Sequence, residues 1–359
     1  MPEDWPPRLT DGLSALAAST VGAEFQHVER GETDRVFRVR KAQAIANGLI
    51  LEFESGAEPP PDGASERIEL AFLSFVPRAE DEERAVRTYD GLPDRLDVAD
   101  VAAGTFWTLD VPGGDGGGAG TALLLGGNKY VHEELLHRGW IVVSTSGPGR
   151  YFERREHPLA VRIDGLEEID AAAERIAGAL DDEMAEWAYA AEAVLEYFED
   201  TQASSSRRPR AILGFSIGAL ALPSAVARQP ERFNAAVLVA GGVDLFEISR
   251  LTLKEDRGLE IEWEGGAPSA EEWARLDEAY LLRTRLDPYR TAPGLSGIPV
   301  LLYHAAFDMV VPARQGDLLR DRCPTAERIV LPTGHKQILR GVMQLRAGSI
   351  VDWIEKVTR

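Results

Sequence analysis

The sequence is poor in what would tie it to an oxidising compartment, a membrane or a polyanion. One cysteine, Cys323, stands among 359 residues, so no intrachain disulfide can form and a reducing compartment is expected. No apolar run approaches the ~20 residues that span a bilayer. The opening residues, Met1-Pro2-Glu3-Asp4-Trp5-Pro6-Pro7, lack the basic end and apolar core of a secretion signal, which points to a cytoplasmic chain. Positive charge is scarce: Lys and Arg total 39 against 59 Asp and Glu, a net charge of −20 that disfavours nucleic acid and anionic lipid as partners. Histidine is scarce too, and His132 and His137, five residues apart, fall on different faces of a helix, so they argue against a metal pair. No metal and no cofactor is expected. The glycine-rich run at 113–120 has no Gly-Lys-Ser/Thr after it, so it reads as a hairpin loop and not as a phosphate cradle.

What is present suits a large α/β unit, since 44% of the residues are hydrophobic. Residues 1–66 read as an N-terminal extension with a short helix near 9–18 and strand-like alternation at 36–39 and 49–53, closed by Pro59-Pro60-Pro61-Asp62-Gly63. Strands follow at 68–76 and 106–111, separated by a charged stretch at 78–87 and a turn-rich one at 89–94. Residues 121–125, 131–137 and 140–143 give strand, helix and strand, a crossover that implies a parallel sheet covered on both faces. Over 181–199, Met184, Trp187, Ala191, Leu195 and Phe198 share one helical face, and Pro223 is expected to kink a later helix. Strands are expected at 235–240, 298–303 and 328–331, with a closing helix over 341–357. Residues 243–292 break the strand and helix rhythm; within them Ser269 and Glu272 form a capping box, with Trp273, Leu276 and Tyr280 at helical spacing after it.

One stretch organises the rest. An apolar run at 211–213 enters Gly214-Phe215-Ser216-Ile217-Gly218, and small apolar residues continue as a helix. This is strand, sharp turn and helix with serine at the apex, and a side chain at either glycine would collide with crossing backbone.

The pattern resembles the nucleophile elbow of the α/β-hydrolase superfamily, in which Ser216 matches the nucleophile. The resemblance covers roughly residue 121 to the C-terminus. It implies an α/β-hydrolase fold over 67–359, a mostly parallel sheet flanked by helices, with 243–292 either a cap or lid that walls the acyl pocket or a helical segment packed permanently over the core edge. Asp308, in Asp308-Met309-Val310-Val311-Pro312, matches the family acid, with Asp244 as the alternative, and His335, after the last strand, matches the family histidine. The order Ser216, Asp308, His335 is the one expected of this fold. Gly126-Gly127-Asn128 sits where relatives often carry His-Gly-x, so the backbone amides of Asn128 and Ile217 are the expected oxyanion donors. Ser146 is a rival nucleophile without a strand-to-helix turn, and His27, His132, His137, His157 and His304 read as structural or surface residues. The function implied is a serine hydrolase cleaving a small or medium-sized carboxylic ester. A peptidase or acyltransferase of the same fold, or a member that only binds, is the alternative.

Overall fold

The computed structural model describes residues 5–8, 10, 12–27, 35–54, 60–77, 99–113, 118–148, 159–201, 208–252, 259–264 and 266–359. The charged and turn-rich stretches at 78–94 and His157 lie outside them. Helix α1 (Leu13–Thr20) buries Leu13, Leu16, Ala17 and Thr20, the spacing of one helical face. Strands β1 (Glu24–His27), β2 (Arg35–Ile45), β3 (Gly48–Phe53), β4 (Ala64–Pro77) and β5 (Ala99–Pro112) follow, each antiparallel to its predecessor. Residue 66 thus falls inside β4, and β1 to β3 are hydrogen-bonded members of the main sheet.

From here the chain changes habit. Strand β6 (Gly120–Leu125), helix α2 (Lys129–His137) and strand β7 (Trp140–Pro148) make the expected crossover, with β6 and β7 parallel. Strand β8 (Leu159–Ile163) leads into α3 (Ile169–Thr201), and β9 (Arg210–Phe215) into α4 (Ile217–Arg228). After β10 (Ala235–Val239) come α5 (Leu245–Thr252), β11 (Leu259–Trp263), α6 (Ala270–Arg283) and the short α7 (Pro288–Thr291). The chain ends with β12 (Val300–Ala305), α8 (Ala313–Arg322), β13 (Glu327–Leu331), α9 (His335–Gln337), a π-helical turn (Ile338–Val342) and α10 (Met343–Thr358).

The main sheet has eleven strands in the order β1-β2-β3-β4-β5-β7-β6-β9-β10-β12-β13. The run from β7 to β13 is parallel, and the other five strands form an antiparallel wing joined through β5 and β7. Because β7 lies between β5 and β6, these two strands do not form the hairpin expected around the glycine-rich run, of which residues 114–117 lie outside the described residues. Every residue of β6, β9, β10 and β12 is buried, as in a sheet covered on both faces. In β9, Ile212 faces a core shared with α3 and α4, while Ala211, Leu213 and Phe215 face one shared with α2 and α10. Each large apolar side chain so buried contributes about 1.5–3 kcal/mol.

Helix α3, 33 residues long, reaches farther than its periodic face suggests. Its C-terminal half covers the main sheet, whereas Ile169, Ala173 and Ile176 pack with β8, Phe246, Leu276 and Tyr280 in a separate cluster. There β8 pairs in parallel with β11, a contact between segments a hundred residues apart. Pro223 sits buried inside α4, and it does not interrupt the helix, which continues to Arg228.

Candidate functional site

The strand order reverses at β6: β7 lies on one side of it and β9 on the other. In an open parallel sheet, the loops leaving two such strands run in opposite directions and leave a crevice at their C-terminal ends. Ser216 leaves β9 and Gly126-Gly127-Asn128 leaves β6, so both occupy that crevice. Ser216 has φ 54° and ψ −117°, a conformation that non-glycine residues rarely adopt and that costs of order 1–3 kcal/mol. Neighbours hold it there: its N–H donates to the Val239 carbonyl at 3.0 Å, and its own carbonyl accepts from Ala219 at 2.9 Å and Leu220 at 3.2 Å. The flanking glycines are sterically required. A Cβ on Gly214 would lie 2.5 Å from the Gly218 oxygen, and one on Gly218 would lie 2.0 Å from the Leu125 oxygen.

The loop after β12 and the loop after β13 are joined by backbone hydrogen bonds, Ala306 N–H to Leu331 at 2.8 Å and Phe307 N–H to Thr333 at 2.9 Å. That junction brings Asp308 beside His335. Asp308 Oδ1 accepts the N–H groups of Val310 and Val311 at 2.8 and 2.9 Å, and Oδ2 lies 2.8 Å from His335 Nδ1. A carboxylate accepting at both oxygens places the imidazole hydrogen on Nδ1 and leaves a lone pair on Nε2. His335 Nε2 lies 2.8 Å from Ser216 Oγ. Asp308 and His335 are buried, while Ser216 is half-buried. An alcohol, an imidazole and a carboxyl group from three separate loops therefore form one hydrogen-bonded relay, an arrangement able to move a proton off the hydroxyl.

Ser216 opens onto a cleft of about 520 Å³ lined by the glycine loop, Asn128, Lys129, Tyr130, Phe215, Leu339 and Arg340. Ile217 is the first residue of α4, so its N–H belongs to the helix-end donors without an intrahelical acceptor. Asn128 caps α2: its Oδ1 accepts the Val131 N–H at 3.3 Å, and its Nδ2 donates to the Leu339 carbonyl at 2.8 Å. Gly126 replaces the histidine common at its position in the resembling family. It has φ +80°, and a Cβ there would sit 2.4 Å from the Phe215 oxygen, so the substitution suits a close approach to the elbow. No described residue of 243–292 is among those lining the cleft. Lys129, Tyr130, Leu339 and Arg340 line it without having been singled out in the sequence; for Leu339 and Arg340 the signal was the basic, acid-free run that follows His335.

The other candidates lie elsewhere. Asp244 does not meet His335; it is buried beside Glu247 and Asp277, and burial together with the Asp277 charge pushes its carboxyl up to about 9. Among the described residues, Asp244, Glu247 and Asp277 bring ligand-type oxygens within 4.8 Å of one another. Arg250 and Arg314 stand 3.7 and 3.5 Å from Glu247 and offset that charge. Ser146 lies within β7, away from any strand-to-helix turn. His132 pairs with buried Asp110, and burial and the neighbouring Arg328 push His304 down to about 4, which keeps its imidazole neutral. Among the described residues no helix is long and apolar enough to cross a membrane.

No family model matches the sequence, and no curated protein matches it. Solved structures do match in fold. Acetyl xylan esterase 1 from Thermoanaerobacterium sp. superposes with a TM-score of 0.55 at 14% identity, covering 88% of this chain and 89% of that one. A cold-adapted esterase from an Arctic intertidal metagenomic library gives 0.45 at 17% identity over 82% of this chain and 95% of that one. An acylaminoacyl peptidase from Pyrococcus horikoshii gives 0.45 at 17% over 92% of this chain and 51% of that one.

Proposed function

We propose that this chain, which has the α/β-hydrolase fold, is a serine hydrolase that cleaves carboxylic esters through an acyl-enzyme. The observation that carries the reading is the relay from Asp308 through His335 to a strained Ser216 at the crevice where the strand order reverses. A serine hydroxyl is a poor nucleophile unless a base removes its proton as the new bond forms. His335 Nε2 takes that proton while Ser216 Oγ attacks the ester carbonyl, and Asp308 holds the ring and stabilises the imidazolium. The amides of Ile217 and Asn128 receive the negative oxygen of the tetrahedral intermediate, each such donor lowering the barrier by about 3 kcal/mol. Collapse expels the alcohol with the proton from His335. Water then attacks the acyl-serine by the same path, releasing the acid and restoring the hydroxyl. In this reading residues 67–359 are the hydrolase domain, 1–66 its extension and 243–292 its cap.

A fluorophosphonate probe tests the assignment. The wild-type protein is expected to be labelled at Ser216 and to hydrolyse p-nitrophenyl butyrate, with Ser216→Ala unlabelled and its kcat lower by about 10⁴-fold or more. Equal labelling of both proteins would end the proposal.

A further inference from the structure

The cleft beside Ser216 is basic on an acidic molecule. Among the described residues that line it, Lys129 and Arg340 carry charge and none carries a carboxylate, although the chain has a net charge of −20. The bias extends along the sequence: residues 328–351 contain Arg328, Lys336, Arg340 and Arg346 but no Asp or Glu, where 59 acids in 359 residues would place about four. Lys129 is partly offset by Glu133, 3.7 Å away on the next turn of α2. Arg340 is in no ion pair among the described residues.

The position of Arg340 is also supported. It lies in the π-helical turn Ile338–Val342, whose Leu339 carbonyl accepts the Asn128 side chain at 2.8 Å, so the turn is tied to the loop that carries Lys129. Wide turns of this kind recur at functional sites. Helices α2 and α4, of 9 and 12 residues, both begin at the cleft; Asn128 caps the first, Ser216 precedes the second without capping it, and their N-terminal N–H groups add partial positive charge. A cleft of one sign with low-dielectric walls concentrates ligands of the opposite sign.

We propose that the cleft selects an ester bearing a free carboxylate, a monoester of a dicarboxylic acid, whose carboxylate Arg340 grips while the ester carbonyl lies at Ser216. One unpaired guanidinium and one half-neutralised ammonium suit a single negative charge, and the planar guanidinium matches a carboxylate in bidentate geometry. The inference rests on the reading of Ser216 as nucleophile.

The test uses p-nitrophenyl hemiadipate and p-nitrophenyl hexanoate, which differ by a terminal carboxylate in place of a methyl group. The expected result is a kcat/KM at least tenfold higher for hemiadipate in 0.05 M salt, carried by KM and shrinking in 0.5 M NaCl as the charges are screened. In Arg340→Gln that ratio should fall at least tenfold, and Arg340→Lys should restore part of it. A wild-type preference for hexanoate, or a ratio that Arg340→Gln leaves unmoved, overturns the inference. Failure of the wild type to turn over either ester and to take the fluorophosphonate would overturn the hydrolase reading instead. Carboxylate selection is then read by calorimetry on Ser216→Ala: monomethyl adipate should bind more tightly than dimethyl adipate, and equal binding overturns the proposal.

Discussion

Asp244 illustrates how a single residue can store pH dependence. It has φ 63°, accepts the Glu247 N–H at 3.0 Å, and is buried with Asp277, Asp287 and Glu247 near it. Burial first, and the Asp277 charge second, raise its carboxyl from 3.8 to about 9. The unfolded chain releases this proton near pH 4 and the folded one holds it to about 9, so its contribution to stability is complete below pH 4 and is lost as pH rises between the two values. Asp244→Asn keeps an acceptor oxygen and tolerates the left-handed backbone. The variant is therefore expected to gain in Tm relative to wild type from pH 5 to 9, with the widest gap at the alkaline end; thermal melts across that range check this, and parallel curves would refute it. At this scale the sequence was informative. Ser216, Asp308 and His335 were readable because each follows an apolar strand with a short, distinctive loop. Arg340 was not, because its place depends on a helical turn whose hydrogen-bond spacing no local pattern announces.

Among the elements, those segments were legible whose local pattern matches their environment. Buried parallel strands such as 121–125 and 235–240 are nearly unbroken apolar runs bounded by glycine, and they stand within a residue of where they were expected. Helix α6 was announced by its capping box, but β8 and β11 were not legible, since they are short, half-polar strands whose pairing joins distant segments. The first third of α3 was hidden for a similar reason, because its buried face of Ile169, Ala172, Ala173, Ile176 and Ala177 meets another segment and not the sheet. Two buried carboxylates hold this assembly. Asp181 on α3 accepts Thr284 Oγ1 at 2.6 Å and the N–H groups of Arg285 and Leu286 at 2.9 Å. Asp287 accepts the N–H groups of Asp244, Leu245 and Tyr289 and the Tyr280 hydroxyl. Asp181→Ala leaves its donors buried without a partner and is expected to cost about 3 kcal/mol or more, measured as a lower midpoint in urea. A midpoint unchanged within error would show that water replaces the carboxylate.

For the whole molecule, the dominant electrostatic quantity is the charge of −20. Like charges repel most in the compact state, and raising ionic strength from 0.15 to 1 M shortens the screening length from about 8 to 3 Å. The Tm is expected to rise with added NaCl and then level off; a flat or falling profile would mean that the ion pairs, screened equally, outweigh the repulsion. The same net charge makes a basic cleft conspicuous.

Helix α3 serves two hydrophobic clusters at once, one under the main sheet and one under the β8 and β11 pair, and at 33 residues it extends about 50 Å. It works as a common beam. Exchanging the segment that packs on its first half would therefore require replacing two pieces of chain together, residues 159–180 and 243–292; replacing the second alone would leave half a beam with nothing to bear on.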